Sequence, residues 1–371
     1  MVLLTTDGRD ADSVAITAWS AISPWGIGAA EFSAGLRSTG PTARRLDDAD
    51  WEVPFRHACL VPDFDARTAL GRKGTRSMDR MTALSVAAVG LLLDDGTGNR
   101  RAGVTDSAGL VLGTAMGSAQ SMMSFTRDSL VEERPYLVNP AHFPNTVMNC
   151  AAGQSAIWHR LKGPNATVAG GRASGLLALR YALRLLRAGR TSTVLCGAVE
   201  EFSEARAWLE WHARGRPDVE KTVLGEGAAM WLLEDEAAAR AHGRRILGVP
   251  RRMEFGFART LDRIQPVLAR CVRRVLEDSG TSADEIRFVV TSGADRAEGD
   301  YERAALAEVL ETTGARDISL DTAIGDTSAA SAAFQIVAAL AQAEPGARHQ
   351  VVITSVEADG VVGAMLLEVR P

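Results

Sequence analysis

Lysine is almost absent from this 371-residue chain. Only Lys73, Lys162 and Lys221 occur among its 41 basic residues, so arginine carries nearly all the positive charge. A GC-rich bacterial genome would produce that skew without any physical demand. Cysteine is scarce too. Cys59, Cys150, Cys196 and Cys271 stand far apart with no CxxC pair, and four small buried hydrophobes in a reducing cytoplasm are expected. The six histidines show neither HxH nor HExxH spacing, so neither a metal nor a cofactor is expected. Apolar runs such as 84–93 fall well short of the ~20 residues that span a bilayer, which argues against a membrane protein. The first fourteen residues carry Asp7, Asp10 and Asp12 and no apolar leader core, so a cytoplasmic location is expected. Neither sign of charge dominates. The 41 basic and 46 acidic residues leave −5, which gives no electrostatic reason to expect a nucleic-acid partner.

What is present is ordinary for a soluble globular protein: 46% hydrophobic and 23% charged residues, at a length that suits two domains or one duplicated fold. Strand-like apolar runs alternate with helix-like periods, the signature of α/β layering. Strands are predicted at 14–17, 109–112, 167–169, 192–196, 228–233, 288–290 and 318–320, with a closing hairpin of 350–353 and 364–369. Helices are predicted from the Ser23–Gly26 turn to Leu36, and at 79–93, 236–241, 261–279, 301–311 and 328–341. Another runs from about 175 to 186. Residues 41–70 read as irregular and 211–220 as a loop. Two segments repeat one pattern. Thr167–Leu186 and Ile318–Leu340 are each a short strand, a turn of small residues and an Ala-rich helix, and each precedes a buried strand. This predicts two similar halves about a pseudo-twofold axis, 1–242 and 243–371.

Several strings, in order along the chain, resemble one family. His142-Phe143-Pro144-Asn145-Thr146-Val147-Met148-Asn149, then Ala151-Ala152-Gly153-Gln154 and Leu161-Lys162-Gly163-Pro164, are similar to the central block of β-ketoacyl synthases, the condensing enzymes of fatty acid and polyketide synthesis. Gly225-Glu226-Gly227-Ala228 resembles the same family's glycine-rich strand. Val14–Thr17 with Ser23–Gly28, Arg76–Arg80 and Cys196–Glu200 fit as well. The resemblance implies the thiolase fold, an α/β class with a duplicated five-layered α/β/α/β/α sandwich.

The same resemblance implies a Cys-His-His triad: a cysteine that takes the acyl group and two histidines that stabilise the thioester enolate after CO2 leaves. A thiolate at a helix N-terminus makes physical sense, since the dipole and free N–H groups favour it. Here Arg172 stands at the cysteine position, and arginine is no nucleophile because it stays protonated. The first histidine position reads Ser292 and the second Asp326. The lysine expected five residues before the second is Asp321, and the glycine-aromatic gate near the C-terminus reads Glu357-Ala358-Asp359-Gly360. An Arg172–Asp326 ion pair filling the former pocket is expected.

Three losses on a preserved scaffold resemble the chain-length factor, the non-catalytic partner that forms a heterodimer with a type II polyketide ketosynthase. Well-known aromatic-polyketide factors carry glutamine where Arg172 stands. That resemblance implies a ketosynthase partner and, through it, an acyl carrier protein-bound polyketide chain. It implies a tunnel lined by Ser118, Ser121, Met122 and Phe125, with Phe125 as the stop. It places Phe143, Pro144, Asn145, Met148, Cys150 and Trp158 at the dimer interface. Two alternatives stay open: an enzyme of altered chemistry (decarboxylation of malonyl-carrier protein, or acyl transfer) using Ser292 or Asp326, and a homodimeric scaffold. The Glu200–Glu201 pair is expected to be structural, and the Arg180, Arg184, Arg187, Arg190 run to be a solvated helix face.

Overall fold

The computed structural model describes residues 14–38, 40–213, 222–294, 297–310, 314–344 and 346–371. Ten strands carry the fold: β1 Val14–Ser23, β2 Gly109–Thr114, β3 Asn165–Ala169, β4 Thr193–Glu200, β5 Gly227–Asp235, β6 Gly248–Phe257, β7 Ile286–Val290, β8 Arg316–Ile318, β9 His349–Val356 and β10 Val361–Val369. They form two five-stranded sheets of identical order, β3-β2-β4-β5-β1 and β8-β7-β9-β10-β6. In each, the first three strands run parallel and the last two join antiparallel. The sheets touch edge to edge where β1 meets β6, at Ile16 opposite Gly248. The repeat legible in two segments thus extends over the whole strand order.

Six helices complete the layers: α1 Arg80–Leu93, α2 Ala119–Val131, α3 Ser174–Arg187, α4 Ile264–Glu277, α5 Ala297–Leu310 and α6 Ser331–Ala341. α3 and α6 lie between the sheets. Their apolar residues, among them Leu179, Leu183, Phe334 and Val337, share one core with Val194, Trp231, Val351 and Met365 from the strands. α1 covers the outer face of the first sheet, with Leu84, Val89 and Leu92 against Leu110, Leu195 and Met230. α4 and α5 cover the second, with Leu268, Val272 and Leu306 against Val289 and Leu366. The result is the expected α/β/α/β/α sandwich. α1 is buried on nearly all sides because a short helix, Cys150–Trp158, lies over it, and Ser85 and Ser155 share a hydrogen bond of 2.9 Å between them.

The central helices cross backbone to backbone at Gly175. A Cβ there would lie 2.6 Å from the amide nitrogen of Ala333 and 3.0 Å from the carbonyl carbon of Ala332. Rigid main chain cannot yield as a flexible side chain would. Gly175→Val is therefore expected to destabilise the chain by about 3 kcal/mol or more, the upper end of overpacking costs, measured by urea unfolding.

Three elements depart from the sequence reading. β6 has no counterpart in it, because Pro250 and the consecutive Arg251 and Arg252 hide any alternation. The strand absorbs them with a register slip between Pro250 and Arg252. β8 lies two residues earlier than predicted. Arg316–Ile318 pair with Phe288–Val290, and Leu320 instead precedes a short helix, Asp321–Ile324. A helix at Glu204–Ala213 takes in residues 211–213 of the expected loop, and the rest of that loop lies outside the described residues. So do residues 1–13, on which the reading of no leader rested.

Candidate functional site

The heads of α3 and α6 face one another because the two helices cross close by. β3 ends at Ala169, and a single 3-10 turn, Gly171–Ala173, leads into α3. Gly171 adopts φ +53°, which favours glycine there, and a Cβ on it would lie 2.3 Å from Glu357 Oε2 and push that side chain aside. Across from it, Gly325 (φ +74°) turns the chain into Asp326 and the 3-10 turn Ser328–Ala330 ahead of α6. Ser292 follows β7 on the same side.

Arg172 is 6% exposed. Its Nη2 donates to Asp326 Oδ2 at 2.7 Å and its Nη1 to the Ser292 carbonyl at 3.3 Å. The expected ion pair is present, and the three positions 172, 292 and 326 are brought together. Asp326 is itself held by the Ser328 amide, which donates to Oδ1 at 2.9 Å. Its carbonyl accepts from Arg206 Nη2 at 2.8 Å. Two further carboxylates close the group, and neither was singled out as a site residue in the sequence. Glu357, in the turn between β9 and β10, accepts the Arg172 backbone N–H at 2.8 Å. Glu302 on α5 accepts from Ser292 Oγ at 2.7 Å, from Ser292 N at 3.1 Å and from Thr354 Oγ1 at 2.6 Å. Glu302 carries no motif in the sequence. Glu357 stood out only as part of a replaced string.

Burial pushes the carboxyl groups of Glu357 and Glu302 above the usual range, and the neighbouring Arg172 guanidinium offsets part of that rise. The cavity left among Arg172, Ser292, Asp321 and Gly325 measures about 10 Å³. One water needs roughly 10–15 Å³, so no acyl group fits. Neither cysteine nor histidine is among the residues that line it. The four cysteines are buried and free, and burial raises each thiol's pKa. The one hydroxyl of note, on Ser292, is buried and committed to Glu302. This group of side chains fills space and balances charge, and offers no activated nucleophile.

A second polar cluster sits at the start of α2. Ser118 is its N-cap; the hydroxyl accepts from Ser121 N and donates to Glu201 Oε1 at 2.9 Å. Ser121 Oγ donates to Asp79 Oδ2 at 3.2 Å. Glu201 Oε2 accepts from Met81 N at the head of α1. Both serine hydroxyls therefore turn inward to tie α1 and α2 together. Phe125, half-buried, meets the ring of Phe143 at 5.8 Å between centroids, and Met122 is also half-buried. Glu200 and Glu201 are fully enclosed, and desolvation raises both to about 7. A carboxyl whose folded pKa exceeds its unfolded one stabilises fully below the unfolded value and loses that contribution as pH rises through the folded value. The wild type should therefore lose stability relative to Glu201→Gln between pH 5 and pH 8, measured by urea midpoints at both.

The expected interface residues divide. Phe143 (57% exposed) and Met148 are exposed, and so is Pro144. Asn145 and Cys150 are engaged within the chain. Asn145 Nδ2 donates to the Ser77 carbonyl at 2.7 Å, and Cys150 is buried with its thiol 3.5 Å from Asn145 Oδ1. Trp158 is half-buried against Gly74.

The fold is shared with known proteins. The β-ketoacyl synthase N-terminal domain pattern matches residues 11–239. The chain belongs to the β-ketoacyl synthase family. A solved structure described as the ishigamide ketosynthase/chain length factor shares 40% identity and a TM-score of 0.90, covering 97% of this chain and 100% of that one. The 3-oxoacyl-[acyl-carrier-protein] synthase 2 of Rhizobium meliloti (strain 1021) is 26% identical over 87% of this chain and 84% of its own length. The provisionally named actinorhodin polyketide β-ketoacyl synthase 2 of Streptomyces coelicolor is 27% identical over 90% and 86%. Among the described residues, no helix is long and apolar enough to cross a membrane.

Proposed function

We propose that this chain is a chain-length factor: the non-condensing subunit of a type II polyketide synthase, built of two ketosynthase-like halves, 1–242 and 243–371. It pairs with a catalytic ketosynthase and shapes the tunnel that receives the growing, carrier-protein-bound chain. The observation that carries the reading is the head of α3. Where the family places its acyl-accepting cysteine stands Arg172, buried and paired with Asp326, beside a cavity too small for a substrate. Histidines are likewise replaced at Ser292 and Asp326. A catalytic unit acts as a whole, and losing a nucleophile alone costs about 10⁶-fold in rate.

The surface supports a partner. Large apolar side chains stand exposed from Met116 to Ile157, including Met123, Leu130, Val131, Tyr136, Leu137 and Val147. Exposed apolar side chains repeated along successive elements suit an interaction surface. The edge strand β3, half-buried along most of its length, ends the first sheet beside this stretch in sequence.

The test is incubation of the purified chain with malonyl- and acyl-carrier protein. No acylated protein and no released CO2 are expected from the chain alone. Co-expression with a ketosynthase holding an intact Cys-His-His triad should yield a stable one-to-one complex. Acylation of the isolated chain would overturn the reading. In the complex, Phe125→Ala should lengthen the product, read by mass spectrometry, since Phe125, packed against Phe143, is the proposed stop of the tunnel.

A further inference from the structure

Helix α2 is held to the body unlike the other long helices. Of its 13 residues only Ala119 is buried, whereas α3, with 14, buries eight. Leu130 and Val131 at its far end stand in solvent. Polar contacts at the first turn dock it instead. Ser118 Oγ donates to Glu201 Oε1 at 2.9 Å, and Gln120 N donates to the same oxygen at 3.4 Å. Ser121 Oγ donates to Asp79 Oδ2, and Gln120 Oε1 accepts from Ala205 N at 3.1 Å. Beyond that turn, Phe125 meets Phe143 in the 140–146 turn, which itself has no buried residue. Segments with so few buried apolar side chains open locally, well below the cost of global unfolding.

Glu201 sits where this arm meets the body. It is 1% exposed, and its second oxygen accepts from Met81 N in the first turn of α1 at 3.2 Å. Among the described residues no cation donates to its carboxylate. Arg80 gives Nε and Nη2 to Glu226. Arg206 gives its nitrogens to the backbone carbonyls of Glu201, Gly225 and Asp326. The groups that do act on the carboxyl are acidic: Asp79, the N-cap of α1, and Glu200 at the end of β4. Glu210 acts on Glu200 in the same sense, and the Cys150 thiol beside Asp79 is held protonated. Burial first, then the Asp79 carboxylate, raise Glu201 to about 7. Docked, it keeps its proton up to that pH. With α2 displaced, the carboxyl meets water and ionises near its ordinary value of 4.5.

We propose that α2 is a proton-controlled arm: in the free chain it undocks as a unit from the Gly117 turn, and protonated Glu201 holds it down. Gly117, at φ +81°, turns the chain from β2 into α2. Undocking bares the half-buried Met122 and Phe125. Between the docked and undocked values of Glu201, each pH unit favours the open arm by up to about tenfold. Above the docked value the effect levels off. The arm stands whether or not the chain pairs with a ketosynthase.

Hydrogen exchange of the full chain tests it, read by mass spectrometry at pH 5, 6, 7 and 8 and corrected for intrinsic rates. Opening of residues 119–131 should rise at least tenfold from pH 5 to pH 7, and less than threefold from pH 7 to pH 8. Peptides of α3 and α6 should not follow. Glu201→Gln should hold the rise from pH 5 to pH 7 below threefold. Asp79→Asn keeps the cap of α1 and removes the acidic neighbour, so it should make the rise at least threefold smaller. Glu132→Gln, at the exposed end of the arm, should keep the wild-type rise. Should Glu201→Gln not fold, Asp79→Asn and the wild-type profile still decide. A wild-type profile flat from pH 5 to pH 7, an undiminished rise in either carboxyl variant, equal loss of the rise in Glu132→Gln, or α3 and α6 opening in step with α2 would each overturn the proposal.

Discussion

Arg172→Ala is expected to cost about 3–5 kcal/mol of folding stability, the penalty for breaking a buried ion pair from one side. Both partners are nearly sealed from solvent, with side chains 7% exposed. Removing the guanidinium takes a buried cation away from Asp326, near two more buried carboxyl groups, Glu357 and Glu302, whose pKa values burial already raises. Asp326 must then take up a proton or draw water into the vacated space. The loss should therefore shrink as pH falls toward 4, where protonating the carboxylate costs least. Arg172→Met/Asp326→Leu should recover most of the stability, since apolar residues of similar bulk often replace a buried pair without loss. Urea unfolding at pH 7 and pH 4.5 reads all three. An Arg172→Ala protein as stable as the wild type would mean that the pair does not hold these helix heads together.

The same arrangement explains why Arg172→Cys should not restore acyl transfer. A thiol there would face the Asp326 carboxylate in a buried site, and an anionic neighbour with desolvation holds a thiol protonated. Mass spectrometry after incubation with acyl-carrier protein should find the variant unmodified.

Much of this was legible in the residues, and what was not had a physical reason. The duplicated order showed in Thr167–Leu186 and Ile318–Leu340, because the two central helices are buried and their small, apolar composition is forced by close crossing. The Arg172–Asp326 contact followed from the resemblance, which places both residues at neighbouring positions. Glu302 and Glu357 could not be read as members of the same group. Their roles depend on a helix and a hairpin turn converging from distant sequence, and neither lies in a spacing pattern. Ser118 and Ser121 were read as tunnel lining from their position on one helix face. The structure gives their hydroxyls to Glu201 and Asp79, acceptors supplied by other elements. The arginine run of α3 is the solvated face its spacing predicts, with Arg180, Arg184, Arg187 and Arg190 all exposed.

Ile157→Asp should leave the free chain almost unchanged and sharply weaken its association with a ketosynthase. Ile157 is 72% exposed on the short helix over α1, and Leu130 at the end of α2 is 79% exposed. A surface substitution of this kind usually shifts stability by no more than about 0.5 kcal/mol. Within an interface the balance reverses, because the new carboxylate would be desolvated with no cation assigned to it. Central interface positions commonly cost 2 kcal/mol or more, which is about a 30-fold loss of affinity. Thermal unfolding of the isolated variant and sedimentation of the mixed subunits separate the two effects. If the chain instead forms a stable homodimer through this surface, the variant should convert it to monomers. Undiminished association in both settings would place the contact elsewhere, and the exposed run from Met116 to Ile157 would need another occupant.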